Sequence, residues 1–292
     1  MKELIKKVYR YEIEIRKALT TRLQGDFRSL FKGTGIEFDD VRSYQYGDDV
    51  RAIHWGSSAK GHGTYVKTFK EEKEQTVYMI VDVSASQNIG QSSCRKVDQA
   101  KEIASVLSLA ALREQSHVGI MAFSDQEELY IPPTKGMAQA TRIVKNLFDL
   151  KPSSLKTNIA DAFRFALHRI RRKSVLIFIS DFIDTGYDSL LKAVARKHDL
   201  VLIHMVDSQE MSIPALGTVP LYDEESGKVH WVNTSARSFQ KESGRRFHDR
   251  QNRLQSYARK AHANYVCIQT NTYYVPQLIR LFSLRNQQRK TT

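Results

Sequence analysis

The chain has 292 residues and only two cysteines, Cys94 and Cys267. Two thiols in a chain this long make no disulfide framework, and no Cys-x-x-Cys pair is available to hold zinc. No apolar run approaches the roughly 18 residues that a membrane span needs. The opening stretch, MKELIKKVYRYEIEIRKAL, sets Glu3, Glu12 and Glu14 among its apolar positions. It therefore lacks the uninterrupted apolar core of a secretory signal, and a cytoplasmic location is the expectation. The spacings that cradle nucleotide phosphates, bind a hydrolytic zinc or expose a nucleophilic serine are also missing. So are solenoid-period repeats and low-complexity segments.

Charge of one sign is plentiful: the formal net charge is +13. Such an excess can attract nucleic acid, anionic lipid or an acidic protein. The basic residues are dispersed, with short clusters at Arg171-Arg172-Lys173 and Arg245-Arg246. Solvated helix faces account for them better than a nucleic-acid groove does.

Periodicity divides the chain into four stretches. Residues 1–24 have helical spacing in Leu4, Ile5, Val8, Ile15 and Leu19. Residues 25–75 are rich in glycine and aromatics, which predicts short strands and turns. From 76 to 208, apolar strands such as TVYMIVDVS, HVGIMAFS, SVLIFISDF and LVLIHMVD alternate with amphipathic helices. That alternation predicts an α/β fold, a doubly wound, mostly parallel sheet with helices on both faces. Residues 209–292 predict an extension of hairpin, long polar helix, strand and closing helix, which completes or packs on the preceding domain.

The stretch MIVDVSASQN, residues 79–88, ends an apolar strand with Asp82, Ser84 and Ser86 on alternate positions. Open parallel sheets bind ligands just past the carboxyl ends of their strands. A carboxylate and two hydroxyls are hard oxygen donors, suited to Mg²⁺, Mn²⁺ or Ca²⁺. Two later pieces offer more oxygens: Thr157 in the loop LKTNIADAF, and Asp181 at the tip of the strand in FISDFID.

These five residues together resemble the metal-ion-dependent adhesion site of the von Willebrand factor A fold. The resemblance implies that Ser84 and Ser86 ligate the ion directly. It implies that Asp82 and Thr157 act directly or through water, and that Asp181 holds a metal-bound water. In that fold an acidic residue of a partner takes the remaining position. The threonine loop here reads SSLKTN, without the glycine often found just before the threonine.

The preceding segment, GIEFDDVRSYQYGDDVRAIHW followed by SSAK, is similar to the hallmark of the bacterial domain of unknown function 58. Members of that family place it directly before an A-type domain. Their genes commonly sit beside a MoxR-type AAA ATPase, which implies an adaptor or co-chaperone role. On physical grounds Arg42, Asp48, Asp49 and Arg51 suit turn-fixing ion pairs. Gly47 suits a turn position with positive φ, and Tyr44 and Trp55 suit apolar packing within a small subdomain. His54 and His62 match no common ligand spacing.

A non-catalytic, metal-dependent protein-binding module is therefore the expected class. A hydrolase or phosphatase using Asp82 is the alternative, although Ser84 stands where phosphoryl-accepting aspartates commonly have a second acid. Nucleic-acid binding through the basic surface is a weaker one.

Overall fold

The structure is a computed structural model that describes residues 2–23, 36–59, 63–71, 75–91, 94–211, 213–223 and 227–290. Residues 25–35 of the expected β-rich stretch and His62 lie outside the described residues. The chain divides into two compact units, Met1–Phe31 with Thr76–Thr292, and Lys32–Gln75. The larger unit begins with helix α1 (Lys2–Leu23).

The smaller unit is a hairpin of β1 (Ile36–Ser43) and β2 (Tyr65–Glu71), paired antiparallel, with a short helix α2 (Trp55–Ser58) between them. Arg42 grips Asp48 through both carboxylate oxygens at 2.7 and 2.6 Å. Gly47, at φ +104°, makes the turn that brings them together. Asp49 instead accepts the backbone N–H of Arg51 and caps a single 3₁₀ turn. The His54 ring caps α2 by accepting from Ser57 N. The expectation that Tyr44 and Trp55 pack inside this unit is corrected: Trp55 is 72% and Tyr44 36% exposed. A four-residue helix has no second turn to fold its tryptophan under, so the indole faces out.

In the larger unit β3 (Thr76–Asp82) is the central strand. A 3₁₀ turn and a two-residue pair, β4 (Gly90–Gln91) with β5 (Cys94–Arg95), lead into α3 (Lys96–Arg113). Then come β6 (His117–Phe123), β7 (Glu127–Thr134), α4 (Met137–Asp149), α5 (Ile159–Arg169), β8 (Val175–Ser180), α6 (Asp188–Lys197) and β9 (Asp199–Val206). The last part holds α7 (Ser208–Met211), the hairpin β10 (Thr218–Asp223) with β11 (Lys228–Asn233), α8 (Arg237–Lys260), β12 (Asn264–Gln269) and α9 (Val275–Lys290).

Six strands form one sheet in the order β12-β9-β8-β3-β6-β7, all parallel except β7. The expected doubly wound sheet is thus the observed one. Alternation within β3 explains the two layers. Val77, Met79 and Val81 face α3, α4 and α9, whereas Tyr78 and Ile80 face α5, α6 and α8. Helix α3 is buried on nearly every side, because α1 covers the flank that the sheet leaves open. That burial matches its run of alanine, leucine and serine. Among the described residues no helix is long and apolar enough to cross a membrane.

One close approach tests this layering. Gly119 of β6 lies opposite Tyr78 of β3, and a Cβ there would sit 2.8 Å from the Tyr78 ring and 3.1 Å from the Ile131 carbonyl oxygen. Gly119→Ala should cost about 1–3 kcal/mol in chemical denaturation, as overpacked cores do. Adding Tyr78→Val should restore part of that loss. An unchanged midpoint for the single variant would contradict the packing described.

Candidate metal centre

Connections from β3 and β8 run to opposite sides of the sheet, so their carboxyl ends flank the switch point where such folds bind ligands. Asp82 ends β3 and Asp181 directly follows β8, and both are buried. A carboxylate in an apolar setting requires donors. Asp82 Oδ1 accepts from Ser84 N at 3.0 Å and Ser84 Oγ at 2.6 Å, while Oδ2 accepts from Ser180 Oγ at 2.6 Å. Ser86 Oγ lies 3.2 Å from Ser84 Oγ and also hydrogen-bonds Asp181. Asp82, Ser84, Ser86 and Asp181 therefore form one continuous oxygen cluster.

Thr157 arrives on a separate loop at the same end of the sheet. Ala85 N donates to the carbonyl of Leu155 at 2.9 Å, and Asn158 N to that of Ser124 at 3.2 Å, which bind the loop to the serine turn and to the end of β6. Glu128 of β7 organises the loop's first residues by accepting from Ser153 N, Ser153 Oγ and Ser154 N.

Sequence reasoning missed the cation already present. Lys96, the first residue of α3, is fully buried, and its ammonium bridges Asp181 Oδ2 at 2.6 Å and Glu210 Oε1 at 2.7 Å. A cation at a helix N-terminus opposes the helix dipole. The sequence signal was therefore a lysine where an acid is favoured. Burial works to lower the Lys96 pKa, but the two carboxylates outweigh it and hold it above the ordinary value. Glu210 on α7 is fixed in turn by the backbone N–H of Asp207.

The two aspartates are driven apart electrostatically. Burial, then the charge of Asp181, pushes Asp82 well above the usual carboxylate range, against the hydrogen bonds from Ser180 and Ser84. For Asp181 burial acts in the same direction, but Lys96 and the hydrogen bonds from Ile183 N and Ser86 bring it below its ordinary value.

The donor set fits a hard divalent ion. Octahedral Mg²⁺ binds oxygen at about 2.1 Å, so adjacent ligand oxygens lie about 3 Å apart. The 2.6 and 3.2 Å separations along Asp82, Ser84 and Ser86 are of that size. With every carboxyl ionised, Asp82, Asp181 and Glu210 outweigh Lys96 by two negative charges, which a divalent cation would cancel. Among the described residues no three His, Cys, Asp or Glu side chains cluster as a metal site, so hydroxyls would have to supply much of the shell.

With this geometry in view, a model of the family described as protein of unknown function DUF58 matches residues 40–253. The chain belongs to the DUF58 family. This DUF58 chain is 27% identical over 221 residues to the uncharacterized proteins Mb1516 of Mycobacterium bovis and Rv1480 of Mycobacterium tuberculosis, covering 75% of itself and 70% of each relative. Among solved structures it is similar to the conserved hypothetical protein BatB from Bacteroides thetaiotaomicron, at 16% identity and a TM-score of 0.48, covering 73% of this chain and 99% of BatB. It is also similar to the SpRpn10 VWA domain, at 12% identity and a TM-score of 0.38, covering 72% and 94% of the two chains. The sheet of this DUF58 chain is the doubly wound, mostly parallel one that its sequence implied.

Two outcomes follow from the charge arrangement. Lys96→Met leaves Asp181 and Glu210 buried without their ammonium and should cost about 3–5 kcal/mol. Urea denaturation should show most of this loss recovered in the triple variant with Asp181→Asn and Glu210→Gln, and no loss in the single variant would refute the bridge. Hydrogen bonds from Ser153, Ser124 and Ser154 outweigh burial and hold Glu128 down at about 2, against an ordinary 4.5. Its contribution is thus complete above pH 4.5 and is lost as pH falls towards 2. The stability gap between wild type and Glu128→Gln should shrink across that window, and a constant gap would refute the loop's dependence on this carboxylate.

Proposed function

We propose that this DUF58 protein is a non-catalytic, divalent-metal-dependent protein-binding module. The observation that carries the reading is the run of hard oxygens from Asp82 through Ser84 to Ser86, placed at the sheet's switch point beside Asp181. Asp82, Ser84 and Ser86 would hold Mg²⁺ or Mn²⁺, with Ca²⁺ as a further candidate. Asp181, already engaged by Lys96, would act through water, and Thr157 would close the shell from its loop. The bound ion would supply positive charge and an open position for an acidic side chain of a protein partner.

The chain's own residues do the positioning. Ser180 and Gln87 occupy the far oxygen of Asp82, which leaves Oδ1 directed at the serines. Hydrogen bonds from Ser84 and Ser180 hold the Asp82 carboxylate against the serine turn, which suits it to orient the serine oxygens or a water towards the ion. The family resemblance supports a cytoplasmic adaptor or co-chaperone role with a MoxR-type AAA ATPase as the partner.

Mg²⁺ or Mn²⁺ at a hundredfold excess over Kd should add about 2.7 kcal/mol to wild-type stability. Thermal unfolding should show this gain in the wild type and not in Asp82→Asn, which keeps the side chain's shape. Equal gains in both proteins, or none in either, would reject the metal site. A chelator should also release the protein partner from the wild type.

A further inference from the structure

Next to the metal centre lies a cleft of about 370 Å³ between the β8–α6 loop and α8. Phe182 and Ile183, the residues immediately after Asp181, begin one wall, and Arg246, Arg250 and Arg253 stand on the other. The arginines recur at helical spacing, so they share one face of α8, above the buried Leu254. Arg246 is engaged by Glu242 at 2.5 Å. Arg250 and Arg253 make no ion pair among the described residues, and Arg250 Nε is buried without a hydrogen-bond partner.

Two acids, Asp184 and Asp249, share the cleft and keep their charges, but neither forms an ion pair with the arginines among the described residues. Asp184 is committed to backbone amides, accepting from Ile159 N at 2.8 Å and Thr185 N at 2.7 Å. Asp249 lines the cleft but pairs with none of the three among the described residues. Arg250 Nε is enclosed, so the donors open to a ligand are the Nη groups of Arg250 and the exposed guanidinium of Arg253. Its planar fork is suited to a carboxylate.

We propose that this cleft docks an acidic peptide segment, with Arg250 and Arg253 clasping its carboxylates beside the metal centre. This deepens the metal-dependent reading by giving the partner several acids, one for the ion and others for the arginines, and it rests on that reading only in assigning both to one partner. Two arginines without ion-pair partners among the described residues, spaced along one helix face beside the shared 181–187 loop, favour a continuous acidic strand over an isolated anion.

The test uses the full chain and a fluorescein-labelled hexaglutamate peptide, followed by fluorescence anisotropy with and without Mg²⁺. Metal-free wild type should bind, and Arg250→Gln with Arg253→Gln should weaken binding roughly tenfold or more, the scale of a lost charge-assisted pair. Arg171→Gln with Arg172→Gln removes the same charge from an exposed turn at the opposite end of the sheet and should have little effect. Equal weakening by both pairs would reduce the binding to the general positive charge and overturn the proposal. Full displacement by millimolar inorganic phosphate would reassign the cleft to phosphate and overturn it too. Asp82→Asn should lose the gain from Mg²⁺. Arginine-dependent binding indifferent to Mg²⁺ would thus uphold the cleft while the metal reading fails, and Mg²⁺-dependent binding indifferent to Arg250 and Arg253 would do the reverse.

Discussion

A carboxylate at the end of an apolar strand is unstable unless both its oxygens find donors. Here three carboxyl groups and one ammonium converge on the same end of the sheet, and each is held by groups far away in the chain. Lys96 joins the start of α3 to the end of β8 and to α7, across 85 and 114 residues. Ser180 joins β8 to β3 through Asp82, across 98 residues. These bonds fix the relative height of the two central strands' tips, and the serine turn takes its shape from them. A purely apolar strand end would impose no such registration.

Hydroxyl groups suit this setting because they switch roles. Ser84 Oγ donates to Asp82 and shares a hydrogen bond with Ser86, so the cluster is satisfied internally, yet the same oxygens can turn lone pairs towards an ion. A second acid in place of Ser84 would add a buried negative charge beside Asp82 and Asp181. Serines give oxygen density without that repulsion. The threonine loop follows the same economy, since Glu128 satisfies its backbone from outside and leaves the loop's interior side to face the serine turn.

Much of the sheet was legible because parallel strands buried on both faces read as unbroken apolar runs. TVYMIVD, HVGIMAF, VLIFIS and DLVLIHMV all became strands. Asp82, Ser84, Ser86 and Asp181 were legible because each stands at the end of such a run. Lys96 and Glu210 were not. A lysine or glutamate in a helical pattern reads as a solvated face, and only tertiary packing reveals that these two share one buried bridge. Trp55 and Tyr44 failed for the opposite reason: large apolar side chains imply burial, yet a four-residue helix and a two-stranded hairpin offer them little to pack against. The arginines of α8 were visible only as dispersed charge, until the fold set three of them against the loop that follows Asp181.

Helix α1 has a less visible consequence. Its Val8 and Ile15 seal α3, and its Glu14 accepts a hydrogen bond from Tyr273, 259 residues later. Tyr11 packs edge-on against both Tyr273 and Tyr274. During synthesis this helix leaves the ribosome long before the residues that secure it exist. Until Tyr273 and Tyr274 arrive, α1 is held to α3 without these late contacts, and the exposed face of α1 is open to wrong partners.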